Sequence, residues 1–112
     1  MSALDPEDNK LVVLARATRA RTGAPEGAAL RDLDGRTYAG ASVDLPSLRV
    51  SAVGVVVAMA LASGSRGAEA VVVLTDGDLA ESDLAVVRDF AGGAVPVHRG
   101  TPEGRIEETR TS

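Results

Sequence analysis

The hydrophobic pattern centres on one stretch, Ala52 to Ala62, in which no side chain is polar. A helix that is apolar on every side belongs in a protein core or in a membrane. A membrane span needs about 20 apolar residues, and this run is shorter and lies between Arg49 and Arg66. The pattern therefore predicts a central helix buried on all sides.

The ends of this helix are marked by residues that start and stop helices. Pro46, Ser47 and Ser51 favour a helix start within the segment from Val43, and Ser63-Gly64 favour a stop. Because unpaired backbone amides collect at a helix N-terminus, the end near Ser51 is the first place to look for a functional site.

The rest of the chain alternates between helical and strand-like spacing. The predicted elements are a helix from Asp5 to Gly23, strands at 27–31 and 36–43 joined by the turn Asp34-Gly35, the central helix, a buried strand at 71–74, a helix at 79–90, a strand at 94–98 whose Pro96 indicates an edge or strand end, and a last strand at 105–109 before a frayed polar tail. This order predicts one α/β domain over residues 1–112, with a mixed sheet, an N-terminal hairpin and helices on both faces in three α/β/α layers.

Composition excludes several functions. The net charge is −4, with only 2% aromatic residues, which argues against binding to nucleic acid or an anionic membrane. With no cysteine, the chain has no disulfide, thiolate nucleophile or cysteine-ligated metal. The first apolar run, LVVLA, follows Asp5, Glu7 and Asp8 rather than positive charges, so no signal peptide is expected and the cytoplasm is the expected location.

Three chemical readings of single residues compete with simpler ones. Ser51 could bind a ligand's anionic group, but a serine at a helix start commonly caps its own helix. A Ser51–His98–Asp76 nucleophile has no supporting spacing. The acids at 76, 78, 81 and 83 lack the spacing of a calcium loop, and helix capping by Asp78 or Ser82 with a solvated face is the simpler interpretation.

Four segments together resemble the cytidine deaminase family. They are GAALRDLDGRTYAGASVD, LRVSAVGVVVAMALASG, EAVVVLTD and VVRDFAGGAVPVHRG, within a likeness that runs from about Ala17 to Gly104. The resemblance implies the three-layer fold. It also implies a mechanism in which zinc, held by a His or Cys and two Cys, activates a water while a glutamate that is not a ligand moves protons.

The residues that this mechanism needs are missing. On the resemblance, the first zinc ligand falls on Ser51, the catalytic glutamate on Val53, and the two cysteines on Ala80 and Asp83. Zinc lowers the pKa of its bound water from 15.7 to about 7, so its loss costs on the order of 10 kcal/mol in hydroxide availability. Val53 cannot transfer a proton. We therefore expect no zinc, no other cofactor and no catalytic residue at these degenerate positions.

The resemblance leaves two kinds of function open. The first is an inactive, cytidine-deaminase-like homodimer or homotetramer, a structural or interaction module with contacts around Val55 to Met59 and Val86 to Phe90. Such a protein could also bind a nucleoside-like molecule between the residues at 42, 44, 51 and 83, since the family's ribose-binding residues fall on Ser42 and Asp44. The alternative is an active cytidine or nucleoside deaminase with non-standard site residues.

Overall fold

The computed structural model describes residues 4–112 as three helices and seven strands. In chain order they are α1 (Pro6–Thr22), β1 (Gly27–Asp32), β2 (Thr37–Ala41), β3 (Val43–Leu45), β4 (Leu48–Val50), α2 (Ala52–Ala62), β5 (Ala68–Leu74), α3 (Glu81–Ala91), β6 (Pro96–Gly100) and β7 (Ile106–Thr111). None of the described helices has the length and apolar character needed to cross a membrane.

The main sheet has five strands in the order β2-β1-β5-β6-β7. Strands β5 and β6 are parallel, and the other neighbouring pairs are antiparallel. The predicted N-terminal hairpin is present as β1 and β2, and Gly35 in its turn has a φ of 84°, a conformation that glycine adopts without steric cost. The predicted mixed sheet is confirmed.

Alternate side chains of β5 point to opposite faces of the sheet and so help to form the two cores between the three layers. Val71 and Val73 join a core with α2 and α3, whereas Val72 and Leu74 join a second core with α1. Because successive side chains of a strand point to opposite faces, one β-branched strand supplies both cores. Helix α1 covers one face of the sheet, and α2 and α3 cover the other. The three-layer α/β/α prediction is confirmed.

The prediction of a helix start at Pro46 and Ser47 is wrong. Residues 43–50 form a separate two-stranded hairpin, in which Leu45 pairs with Leu48 and Pro46 and Ser47 make the turn. The fixed φ of proline suits a turn as well as it suits a first helical position, so the same residues fit both interpretations. Helix α2 begins only at Ala52, after the N-cap Ser51.

The prediction that α2 is buried on all sides is also wrong. Residues 52, 53, 56, 57 and 60 are buried, but Met59 is 38% exposed and Leu61 57% exposed, and Ala58 and Ala62 are exposed as well. The sheet covers one side of the helix and α3 covers a second. The third side of this charge-free helix has no covering element among residues 4–112.

The C-terminal region differs from the prediction in two ways. The last strand reaches Thr111, and the tail is not frayed: Ser112 is buried, its N–H donates to the Val95 carbonyl, and its hydroxyl donates to the Gly92 carbonyl. Pro96 is the first residue of β6, so the strand-end prediction is confirmed. Of the two alternatives, the sheet edge does not apply, because β6 lies between β5 and β7.

Candidate functional site

Ser51 links the N-termini of two helices. Its Oγ accepts a hydrogen bond from the Gly54 N–H at 3.0 Å, which caps α2, and donates to Asp83 Oδ1 at 2.7 Å. Asp83 is the third residue of α3 and is only 6% exposed. The hydroxyl thus satisfies an orphan amide of one helix and a buried carboxylate at the start of the other, where the helix dipole favours negative charge.

Glu26 completes this cluster, and sequence reasoning did not identify it. Its carboxylate accepts from the Ala52 N–H at 3.4 Å, and its own N–H donates to Ser42 Oγ at 3.3 Å. The Ser42 N–H donates in turn to the Glu26 carbonyl at 3.1 Å. The available signal was the hairpin register: pairing β1 with β2 places the residue before β1 opposite the residue after β2.

The residues predicted at this site do not all meet. Ser51 and Asp83 bond directly, and Ser42 is joined to them through Glu26 and the start of α2. Asp44 lies on the small hairpin, where its 84% exposed side chain forms an ion pair with Arg49 at 3.1 Å. The predicted nucleoside pocket therefore has its members on two different parts of the molecule.

The acidic segment before α3 does not cap that helix in the way that the sequence predicted. The N-cap of α3 is Ala80, which has no side-chain cap, so capping by Asp78 or Ser82 is wrong. Asp76 and Asp78 are exposed. Across residues 4–112 there is no group of three or more His, Cys, Asp or Glu side chains placed to hold a metal ion.

His98 belongs to a different cluster on the α1 face of the sheet. Its Nε2 lies 2.9 Å from Asp8 Oδ2 and its Nδ1 lies 2.8 Å from Thr109 Oγ1. Asp8 also accepts a hydrogen bond from Arg31 at 2.9 Å. Burial alone would lower the pKa of Arg31, but the hydrogen bonds from Arg31 to Glu69 and Asp8 outweigh burial and raise this pKa. Both ring nitrogens of His98 are thus engaged away from Ser51.

A third polar cluster ties the β1–β2 turn to the loop after α2. The Asp32 carboxylate, 1% exposed, accepts from the hydroxyls of Ser65 and Tyr38 and from the N–H groups of residues 34 and 36. These hydrogen bonds, of which the one from Ser65 has the largest effect, lower the pKa of Asp32, although burial alone would raise it. The cluster stabilises the turn.

The residues at the expected zinc position do not fit that metal. Ala80 has no donor atom, and Val53 is fully buried where the resemblance places a glutamate. Two ligand atoms of a tetrahedral zinc lie about 3.3 Å apart, given bonds of about 2.0 Å. The two remaining oxygen atoms, Ser51 Oγ and Asp83 Oδ1, are 2.7 Å apart and share a proton instead.

The layers and the two converging helix N-termini form the α/β/α scaffold that the resemblance implies. A family model described as "Cytidine deaminase-like" matches residues 4–104. The chain belongs to the cytidine deaminase-like family.

Solved structures support the same fold. The cytidine deaminase of Mycobacterium leprae superposes with a TM-score of 0.75 at 22% identity, covering 96% of this chain and 94% of that one. The cytidine deaminase of Burkholderia pseudomallei superposes with a TM-score of 0.77 at 24% identity, covering 91% of this chain and 90% of that one. The cytidine deaminase of Mycobacterium tuberculosis superposes with a TM-score of 0.72 at 23% identity, covering 83% of this chain and 85% of that one. A search of the curated proteins finds no significant match.

Proposed function

We propose that this chain is a non-catalytic member of the family that works as a homo-oligomeric interaction module. The observation that carries the non-catalytic part of the proposal is the 2.7 Å hydrogen bond between Ser51 and Asp83. It joins two positions at which the family resemblance places zinc ligands, and it satisfies both groups without a metal.

The lost proton transfer supports the same proposal. Hydrolytic deamination needs an activated water and a group that moves protons to the leaving nitrogen. Val53 has a hydrocarbon side chain with no exposed surface. The nearest acids of the cluster, Asp83 and Glu26, already accept hydrogen bonds from Ser51 and Ala52.

The uncovered side of α2 supports self-association as a homodimer or homotetramer. Of the segments predicted to form contacts, Val55 to Met59 includes the exposed Ala58 and Met59, and Val86 and Phe90 are half-buried. Large contiguous apolar patches on the surface of a monomer are typical of interaction sites. The cytoplasmic location of this module remains a prediction, as does the absence of nucleic-acid and membrane partners.

Binding of a nucleoside-like molecule is a second candidate. It is favoured by the hydrogen bonds that link Ser42 through Glu26 to the start of α2, where Ser51 bonds to Asp83. A ligand would have to exchange its own hydrogen bonds for those within the cluster. Ligand at 100 times its dissociation constant stabilises a protein by about 2.7 kcal/mol. A thermal-shift screen with nucleosides at millimolar concentration therefore detects binding, and an unchanged melting temperature contradicts it.

Two measurements on the full chain test the main proposal. Cytidine and deoxycytidine are incubated with the protein and added zinc while the absorbance change of deamination is followed, with an active cytidine deaminase as control. We expect no turnover, and turnover by the purified chain would support the active-enzyme alternative.

Light scattering during size-exclusion chromatography should give a multiple of the 11.4 kDa chain mass, and a strict monomer at micromolar concentration contradicts self-association.

A further inference from the structure

The polar cluster on the α1 face of the sheet contains an exposed hydroxyl. Thr109 lies on the edge strand β7 and is exposed to solvent, and its Oγ1 is 2.8 Å from Nδ1 of His98. His98 is only 6% exposed, and its Nε2 is 2.9 Å from Oδ2 of the buried Asp8. Hydroxyl, imidazole and carboxylate thus form a continuous chain that runs from the surface into the protein.

Three elements of the fold hold this chain of groups in place. Thr109 and His98 are direct partners in the antiparallel pair of β7 and β6, where opposite side chains share one face and lie close together. Asp8 comes from the first turn of α1, 90 residues away from His98 in the sequence. The other oxygen of Asp8 accepts from Arg31 at 2.9 Å, and Arg31 also donates to Glu69 at 2.8 Å. The imidazole is therefore fixed from both sides.

This order of groups is the one that activates hydroxyl nucleophiles. An ionised carboxylate only accepts hydrogen bonds, so in the neutral ring of His98 the hydrogen lies on Nε2, towards Asp8. The other nitrogen, Nδ1, is then an acceptor aimed at the hydroxyl of Thr109. In Ser–His–Asp triads the hydroxyl bonds to Nε2 and the carboxylate to Nδ1. Here the two nitrogens are exchanged, and the ring still joins a hydroxyl to a carboxylate.

We propose that Thr109 is an acyl-acceptor site, to which a small activated ester or thioester transfers its acyl group. Oγ1 of Thr109 forms a bond to the carbonyl carbon while its proton passes to Nδ1 of His98. The bond from that carbon to the leaving oxygen or sulfur then breaks, and the leaving group takes the proton from His98. The product is an ester on Thr109. This modification is independent of the proposed function, because it occurs on the opposite face of the sheet from the cluster around Ser51.

The charges near Thr109 favour an acyl donor over a phosphoryl donor. Phosphoryl transfer depends on cations that stabilise the charge on the transferred group. Arg99 and Arg110 follow His98 and Thr109 in the sequence, but they form ion pairs with Glu107 and Glu81. Glu81 belongs to α3, on the other face of the sheet. An acyl group brings no formal charge to the site and does not need these cations.

Thr111 provides a control within the same chain. It lies two residues further along β7 and is exposed, so it faces the same side of the sheet, but its partner on β6 is Pro96. The folded chain is incubated with p-nitrophenyl acetate and quenched with acid, and the acetyl group on each threonine is quantified by peptide mass spectrometry. A positioned general base contributes about 10²–10⁴-fold. We therefore expect Thr109 to be acetylated at least about 100-fold faster than Thr111.

Two variants separate the chemistry from the packing. His98→Gln keeps a polar side chain between Asp8 and Thr109 but cannot take up a proton, so acetylation of Thr109 should fall to the rate of Thr111 while circular dichroism shows an intact fold. Thr111→Val should leave acetylation of Thr109 unchanged. Equal rates at the two threonines of the wild-type chain overturn the proposal, as does an unchanged rate at Thr109 in folded His98→Gln. Should His98→Gln not fold, the comparison within the wild-type chain decides.

Discussion

Replacing Ser51 by alanine measures how tightly the two helix N-termini are joined. The substitution removes the cap on Gly54, which costs about 1 kcal/mol, and leaves the buried Asp83 carboxylate without its hydroxyl donor. An unsatisfied buried acceptor adds about 1–3 kcal/mol. We therefore expect Ser51→Ala to lower the free energy of unfolding by about 2–4 kcal/mol in total.

The assay is thermal or urea unfolding followed by circular dichroism. For a chain of 112 residues, each kcal/mol corresponds to roughly 4 °C in melting temperature, so a fall of roughly 8–16 °C is expected. Asp5→Ala is the matched control. Asp5 caps α1 by accepting from the Glu7 N–H at 2.8 Å, and its loss leaves no buried partner behind, so about 1 kcal/mol is expected.

A double-mutant cycle isolates the hydrogen bond itself. In Ser51→Ala/Asp83→Ala both partners are absent, so no buried charge remains unpaired and the double variant should lose less than the sum of the two single losses. If Ser51→Ala costs no more than Asp5→Ala, or the losses of the cycle simply add, the reasoning that Ser51 satisfies the buried Asp83 carboxylate is refuted.

Two further predictions concern acid stability and packing. Because the pKa of Asp32 is lowered in the fold, its stabilisation is present above the ordinary value of 3.8 and is lost as pH falls through the lower folded value. Asp32→Asn should therefore flatten acid unfolding curves in that range, and an unchanged curve contradicts this. Gly27→Ala should cost about 1–3 kcal/mol in urea unfolding, because the added Cβ would overlap the Ala15 carbonyl oxygen. Gly77→Ala, whose added Cβ would have its nearest atom at 4.0 Å, should be close to neutral. Equal losses would refute the tight α1–β1 contact.

Most of the fold was predictable because most elements carried a local signal of their own. Asp34-Gly35 fixed the first hairpin, and the β-branched run Val71 to Val73 indicated a strand buried on both faces. Pro46-Ser47 did not discriminate between a helix start and a turn, since proline is suited to both. The extent of β7 was set by Ser112, whose bonds to Val95 and Gly92 depend on tertiary neighbours.

The candidate site was predictable only where the family resemblance supplied positions. Ser51 and Asp83 lie 32 residues apart, and no spacing rule relates them. Glu26 was not identified, because a single acid before a strand resembles any solvated residue until the hairpin register places it beside Ser42. The exposed side of α2 was missed for a related reason: an apolar pattern indicates that a surface needs cover, but not whether the same chain provides it.

Metal content tests the central claim, that the scaffold is kept and the zinc site is lost, most directly. The wild-type chain and Ser51→Cys/Ala80→Cys/Asp83→Cys are purified with zinc, dialysed and analysed for bound metal, with circular dichroism confirming that both are folded. We predict no stoichiometric zinc on the wild type and about one zinc per chain on the variant, whose three thiolates restore a ligand set. Stoichiometric zinc on the wild-type chain would contradict the account.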